Sequence, residues 1–121
     1  MITVVNKRIH TPTQWDFYIG RGSSLGNPYT HRKQDLKENK GKALYWVETR
    51  EEAVKKYKQW LIHALSNKWT AEYKALYQLV RAAAKHDIFL VCFCAPYPCH
   101  GDVLKEMIEQ LLFDHGSTHP Q

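Results

Sequence analysis

The residues best suited to chemistry in this sequence are a group of cysteine, histidine and aspartate residues late in the chain. They are Cys94, Cys99, His100 and Asp102. They follow a short apolar run and precede a segment whose apolar residues recur at helical spacing. A cysteine beside a histidine at a helix N-terminus can lose its proton and act as a nucleophile. Asp102 could orient His100 or accept a proton. We therefore predict a catalytic site made of Cys99, His100 and Asp102.

Two other interpretations of this group stay open. Cys92, Cys94, Cys99 and His100 are residues of the types that bind zinc, but structural zinc sites usually space their ligands about two to four residues apart. Because Cys99 and His100 are adjacent, we predict no metal site, and we expect no cofactor. Alternatively, the cysteines are small buried core residues, and Asp102 stabilises the helix N-terminus by its charge.

A glycine-rich loop at residues 20–28, GRGSSLGNP, is the second candidate site. Its glycines would let the backbone approach a ligand closely, and Arg21 offers a forked cation suited to phosphate or carboxylate. Asn27-Pro28 also resembles a helix N-cap followed by proline at the first helical position. The spacing matches neither the Walker pattern nor the dinucleotide fingerprint, so a simple reversal of the chain is the alternative. The ligand-binding residues predicted here are Gly20, Arg21, Ser23, Gly26 and Asn27.

Positive charge is the third feature. The chain carries a net charge of +5 with a pI of about 9.1, which favours an anionic partner. Asn6, Lys7 and Arg8 follow the first predicted strand and are added to the ligand-binding residues. A basic segment at about residues 30–47 contains HRKQDLKENKGK, which we interpret as a solvated surface loop or, alternatively, as a nucleic-acid contact.

The elements that position these residues can be read from the chain. The continuous apolar run Ile88 to Cys94 is typical of a strand buried on both faces, as in parallel sheets. Strands are also predicted at Ile2 to Val5 and Trp15 to Ile19. A capping box at Thr49 opens a helix to about Ser66. Thr70 caps a second helix to about Lys85, and a third begins near Cys99.

This pattern predicts an α/β fold, a small single-domain Rossmann-like sandwich with a mostly parallel sheet flanked by about three helices. The whole chain, residues 1–121, fits one domain, and we expect residues 114–121 to form a frayed tail. All three cysteines fall within eight residues, which argues against a disulfide framework. No apolar run approaches the ~20 residues of a membrane span, and no signal sequence is evident. We expect a cytoplasmic protein with no membrane contact.

Four segments carry a family resemblance: VVNKRIHTP, YIGRGSSLGNPY, TREEAVKKYKQWL and CFCAPYPCHGDVLKEM. Together they resemble DUF4326, an uncharacterised family of domains of unknown function in phages and bacteria, and they cover almost the whole chain. The resemblance implies a small α/β domain with no settled activity. It implies functional positions at Asn6, Lys7, Arg8, Gly20, Arg21, Ser23, Gly26, Asn27, Pro28, Cys99, His100, Gly101 and Asp102. The chain departs from the family pattern in the long basic insertion that follows Tyr29.

Polar turns that follow apolar runs could meet at one edge of the sheet. The leading hypothesis is a domain that binds an anionic small molecule, a nucleotide, and that could process it as a glycosidase or hydrolase. The alternative is a non-enzymatic phage module. Such a module would bind nucleic acid through the basic insertion, sequester a signalling nucleotide or inhibit a host protein.

Overall fold

The structure, a computed structural model, describes residues 1–117. The strands are β1 (Ile2–Asn6), β2 (Asp16–Tyr18), β3 (Tyr29–Thr30), β4 (Tyr45–Trp46) and β5 (Ile88–Cys92). The helices are α1 (Arg50–Ala64), α2 (Ala71–Ala83) and α3 (His100–Ser117). Two 3-10 turns, Lys33–Asp35 and Lys37–Asn39, lie between β3 and β4.

The main sheet has three strands in the order β1-β5-β2, and β5 is parallel to both neighbours. Ile2 pairs with Ile88, and Asp16 pairs with Phe89. The central position of β5 explains its unbroken apolar sequence, since neither face of a strand that is covered on both sides needs polar side chains to contact water. With three helices and a small parallel sheet, the predicted small α/β fold is confirmed.

Helices α1 and α2 begin where the sequence predicts. The Thr49 hydroxyl accepts a hydrogen bond from the backbone N–H of Glu52 at 3.1 Å. The Thr70 hydroxyl accepts one from the N–H of Tyr73 at the same distance. Each cap provides a partner for one of the N–H groups that the first helical turn leaves unpaired.

One hydrophobic core joins the sheet to all three helices. Along β5, Ile88, Leu90 and Cys92 alternate and share the face that enters this core. The helices contribute buried residues that include Tyr57, Leu61, Leu76, Leu79, Leu104 and Ile108. The Tyr57 hydroxyl donates a hydrogen bond of 2.6 Å to the carbonyl oxygen of Leu25, so the core also fixes the glycine-rich loop.

The predicted helix start at Asn27-Pro28 is wrong. The side-chain oxygen of Asn27 accepts from the N–H of Tyr29 at 2.9 Å, which closes a turn. The carbonyl of Pro28 then accepts from the N–H of Tyr45 at 3.0 Å, and β3 pairs in parallel with β4. The basic insertion is therefore partly ordered by this small second sheet rather than being a plain loop.

Two boundaries at the end of the chain also differ from expectation. Strand β5 ends at Cys92, two residues before the apolar run does, because the chain turns there toward α3. Helix α3 extends to Ser117, so residues 114–117 of the predicted frayed tail are helical. Residues 118–121 lie outside the described part of the chain. Among residues 1–117, no helix combines the length and apolar character needed to cross a membrane.

Candidate functional site

The carboxyl edge of the main sheet opens into a cavity of about 450 Å³. Because β1, β2 and β5 are parallel, their ends meet at this edge, where open α/β sheets tend to place ligands. Helices α1 and α3 begin beside the cavity, at Arg50 and His100. Six of the predicted functional residues line it: Arg8, Gly20, Arg21, Asn27, Cys99 and His100. The glycine-rich loop and the cysteine–histidine turn thus share one cavity.

Asn6 lies behind the cavity wall and positions its backbone. Its side-chain NH2 group donates to the carbonyl oxygens of Ala95, at 2.9 Å, and Phe93, at 3.3 Å. Its side-chain oxygen accepts from the N–H of Arg8 at 2.9 Å. Both ends of this amide are occupied within the protein, so Asn6 links the end of β1 to the turn that precedes α3.

Lys7, Ser23 and Gly26 also stand outside the cavity lining. The Lys7 ammonium lies 5.6 Å from the centre of the Tyr18 ring, a cation–π distance. The Ser23 hydroxyl donates to the carbonyl of Gly20 at 2.6 Å. A Cβ atom at Gly26 would lie 2.6 Å from that same carbonyl oxygen. Ser23 and Gly26 therefore shape the loop.

Arg21 fastens the glycine-rich loop to the segment that follows it. Its guanidinium donates to the carbonyl oxygens of Asn27, at 3.2 Å, and Tyr29, at 3.0 Å. It also donates to the carboxylate of Asp35 at 3.3 Å. Three bonds to the protein give this cation a structural role in addition to its place in the cavity wall.

Asn27 joins the same loop to α1. Its side-chain NH2 group donates to the carbonyl oxygen of Ala53 at 3.2 Å, and the residue is buried. With its oxygen bound to the Tyr29 N–H, the amide of Asn27 is engaged at both ends. It holds the loop against the first turns of α1.

His100 is a buried imidazole whose tautomer follows from its neighbour. Its Nε2 lies 2.5 Å from the carbonyl oxygen of Ile19, so Nε2 carries the hydrogen and donates it. The Tyr57 ring meets the imidazole edge-on at 5.1 Å. Burial lowers the pKa of His100, so the ring is neutral near pH 7. Nδ1 is left as an unprotonated acceptor.

Nδ1 of His100 makes no hydrogen bond among the described residues. No side-chain nitrogen or oxygen of those residues is both fully buried and without a partner, so Nδ1 keeps some contact with solvent although His100 is only 6% exposed. His100 is part of the cavity lining. A neutral imidazole with one nitrogen fixed and the other accessible has the form of a general base.

Asp102 faces the helix end instead of the imidazole. Its carboxylate accepts from the backbone N–H of Cys99 at 3.0 Å. This bond and the position of the charge in the first turn of α3 are those of a residue that stabilises a helix N-terminus. The geometry matches the helix-stabilising interpretation of Asp102 and not an orienting bond to His100.

The thiols of Cys92 and Cys99 lie 3.7 Å apart, and both residues are buried. The thiols of Cys94 and Cys99 hydrogen-bond to Cys92 and lower its pKa. The same bond to Cys92 raises the pKa of Cys99. The Cys92 thiol donates to the carbonyl oxygen of Val5 at 3.6 Å, and the Cys99 sulfur accepts from the backbone N–H of Gly101 at 3.3 Å. Among the side chains that the structure describes, residues 1–114, no three histidine, cysteine or acidic groups are arranged to hold a metal ion.

Sequence reasoning missed several cavity residues, of which Arg50 is the most informative. Arg50 is the first residue of α1, and its guanidinium lies 5.3 Å from the centre of the Tyr97 ring. Arg8 is placed similarly, 5.4 Å from the centre of the Phe93 ring. The signal that could have found Arg50 was its position directly after the Thr49 cap, because the first turn of such a helix faces the strand ends.

Four arginines line the cavity, with one carboxylate among them. Arg21 and Arg32 lie near the carboxylate of Asp35, at 3.3 Å and 4.0 Å. Within the described part of the chain, Arg8 and Arg50 have no ion-pair partner, and each lies over an aromatic ring instead. The cavity therefore carries a net positive charge. None of the lysines of the basic insertion is part of its lining.

The fold and the cavity define a small α/β domain with a ligand-sized pocket at the carboxyl edge of a parallel sheet. Residues 4–110 match the model of a family described as domain of unknown function DUF4326, and the chain belongs to that family. No curated protein and no solved structure matches the chain.

Proposed function

We propose that the cavity binds a phosphate-bearing small molecule, a nucleotide. The observation that carries the proposal is the pair of arginines, Arg8 and Arg50, that line the cavity without an ion-pair partner among the described residues. A guanidinium presents forked donors that match phosphate oxygens. The N-termini of α1 and α3 add positive dipole ends at the same place.

Aromatic side chains at the cavity support a nucleotide over inorganic phosphate. Tyr18, Phe93 and Tyr97 all line the cavity, and they are 44%, 44% and 65% exposed. Exposed rings are platforms on which a nucleobase stacks, and each stack contributes about 1–3 kcal/mol. The cavity volume of about 450 Å³ lies within the usual range for small-molecule sites.

His100 supports a hydrolytic reaction on the bound nucleotide. Its accessible Nδ1 would accept a proton from a water molecule, while the Ile19 carbonyl holds the ring in place through Nε2–H. In the hydrolase form, the water would attack the phosphorus atom of a phosphate ester, and the P–O bond to the leaving group breaks. In the glycosidase form, it would attack the anomeric carbon of the ribose, and the bond to the base breaks and releases the base. The alternative is a module that sequesters the nucleotide without turnover.

Calorimetric titration with AMP, ADP, ATP, GTP, NAD and ADP-ribose tests the binding step. We expect at least one of them to bind, and the Arg8→Gln and Arg50→Gln variants to bind it at least about tenfold more weakly, since a charged hydrogen bond contributes about 1.5–3 kcal/mol. Arg81→Gln is the matched control, because Arg81 is exposed on α2 and lies outside the cavity lining. Failure of every nucleotide to bind, or equal losses in all three variants, would contradict the proposal.

Product analysis with the nucleotide that binds separates the enzyme from the sequestering module. For a hydrolase or glycosidase, the parent forms product, and His100→Gln loses turnover while its affinity stays within about threefold of the parent. For a sequestering module, neither protein forms product. An equal fall of turnover and affinity in His100→Gln would assign His100 to binding alone.

Nucleic acid is the second ligand to test, because Lys33 and Trp46 form an exposed basic–aromatic pair on the insertion, 4.9 Å from ammonium to ring centre. A bound strand would place phosphates on the insertion, so affinity would fall steeply with salt and depend on Lys33 and Trp46. We expect the Lys33→Gln variant to leave mononucleotide affinity unchanged. Oligonucleotide binding that depends on Lys33 and not on Arg50 would favour nucleic acid over the nucleotide.

A further inference from the structure

The three thiols at the base of the cavity form a cluster that nucleotide binding does not use. Cys92 and Cys99 are 1% and 3% exposed, and their sulfur atoms are 3.7 Å apart. Cys94 is only partly buried. All three residues line the cavity, so a molecule as small as a peroxide can reach them through it.

The two sulfur atoms lie in different polar surroundings. The Cys92 thiol donates to the carbonyl oxygen of Val5 at 3.6 Å, and the Cys99 sulfur accepts from the backbone N–H of Gly101 at 3.3 Å. A thiolate, and not a thiol, is the species that attacks a peroxide or a disulfide, so either sulfur can begin the oxidation once it has lost its proton.

We propose that Cys92 and Cys99 are a reversible oxidation site, which a hydroperoxide converts into an intramolecular disulfide. The thiolate of one of the two residues attacks one oxygen of hydrogen peroxide, the O–O bond breaks, and the departing hydroxide takes up a proton to become water. The resulting sulfenic acid is then attacked by the sulfur of the other residue, the S–O bond breaks and a second water leaves. The two thiols lose two electrons, and the peroxide gains them.

The geometry selects Cys99, and not Cys94, as the disulfide partner of Cys92. The sulfur atoms of Cys92 and Cys99 already lie 3.7 Å apart and need to approach to about 2.05 Å. Cys94 lies only two residues beyond Cys92, and a bridge between them would close a very short, stiff loop. Cys94 is therefore expected to stay free. This inference rests on the thiols alone and stands whether or not a nucleotide binds.

Intact-mass analysis and peptide mapping of the full chain after treatment with hydrogen peroxide test the proposal. We expect a mass lower by two hydrogen atoms, a Cys92–Cys99 bridge, one alkylatable thiol at Cys94, and full reversal by dithiothreitol. In Cys92→Ser and in Cys99→Ser the bridge is lost, and in at least one of them dimedone labels a sulfenic acid on the remaining cysteine of the pair. Cys94→Ser is the matched control and keeps the bridge.

The proposal fails if the parent keeps three free thiols under peroxide, if oxidation stops at Cys94, or if mapping finds a Cys92–Cys94 bridge or a disulfide between two chains. Mapping of the parent needs no substitution, so the test holds even where Cys99→Ser does not fold. Absence of a dimedone adduct on the remaining cysteine of the pair in both serine variants would show that neither sulfur forms the sulfenic acid, and would also overturn the proposal.

Discussion

The guanidinium of Arg21 and the carboxylate of Asp35 lie 3.3 Å apart and join the glycine-rich loop to the segment between β3 and β4. The same carboxylate accepts from the hydroxyl of Thr30, which is buried, at 3.0 Å. Asp35 thus connects two walls of the cavity. The hydrogen bonds of Asp35 therefore help to fix the conformation of the glycine-rich loop, although its glycines allow many backbone conformations.

The first prediction concerns that carboxylate. Asp35→Asn removes the charge that faces Arg21 and weakens the bond from Thr30, so the free energy of unfolding should fall by about 1–2 kcal/mol. Urea denaturation measures the change. Glu38→Gln, at an exposed position of the same segment, is the control and should change stability by less than about 0.5 kcal/mol. Equal effects of the two substitutions would show that the Arg21–Asp35 pair does not hold the loop.

The second prediction concerns the close backbone contact in the loop. A methyl group at Gly26 would meet the carbonyl oxygen of Gly20 at 2.6 Å, and backbone must move to admit it. Gly26→Ala should therefore lower the free energy of unfolding by about 1–3 kcal/mol and weaken nucleotide binding. Ser24→Ala, at an exposed position in the same loop, should do neither. Thermal unfolding and the calorimetric titration report the two effects, and an unchanged Gly26→Ala protein would contradict the loop geometry.

The third prediction concerns the hydroxyl of Tyr57. It is buried and donates to the Leu25 carbonyl at 2.6 Å, so Tyr57→Phe leaves that carbonyl without its donor. We expect the free energy of unfolding to fall by about 1–2 kcal/mol in urea denaturation. Tyr45→Phe, which removes a hydroxyl from a half-exposed ring, is the matched control. A Tyr57→Phe protein as stable as the control would show that the bond contributes no net stability.

The fourth prediction is a pH dependence caused by His100. Burial lowers the pKa of His100 in the folded protein below its ordinary value of 6.5. When the pH falls below 6.5, His100 therefore becomes protonated in the unfolded chain before it does in the folded protein, and protonation favours the unfolded state. The contribution of His100 to stability is complete above that pH. It falls on acidification, by at most about 1.4 kcal/mol per pH unit.

Denaturation of the parent and His100→Gln at pH 7.5, 6.5 and 5.5 isolates this contribution, because the two proteins differ only at this side chain. The parent should lose more stability than the variant between the highest and lowest pH. His63→Gln removes an exposed histidine and should keep the slope of the parent. Parallel slopes for the parent and His100→Gln would mean that His100 is protonated equally in both states.

Local patterns in the sequence predict much of this structure. The capping threonines Thr49 and Thr70 start their helices as expected, because the signal lies within one turn of the chain. The apolar run at β5 identifies the central strand. The expectation that polar turns meet at one edge also holds for Arg21, Asn27 and His100, since parallel strands bring their carboxyl ends together.

The parts that sequence reasoning missed depend on distant partners. Pro28 reads locally as the first residue of a helix, but its carbonyl is bound by the N–H of Tyr45 across the basic insertion, and no short-range pattern indicates that pairing. Asn6 and Arg21 carry the residue types of a ligand site, yet most of their polar atoms bind the protein itself. Residue type alone does not tell a ligand contact from a support.

The strand order imposes a sequence on folding during synthesis. Strands β1 and β2 are both near the start of the chain, but they do not pair with each other, and each hydrogen-bonds only to β5 within the main sheet. The sheet therefore has no second strand to add to until residue 92 has left the ribosome. Until then the edges of β1 and β2 lack their native partner strand, which leaves them open to pairing with other chains.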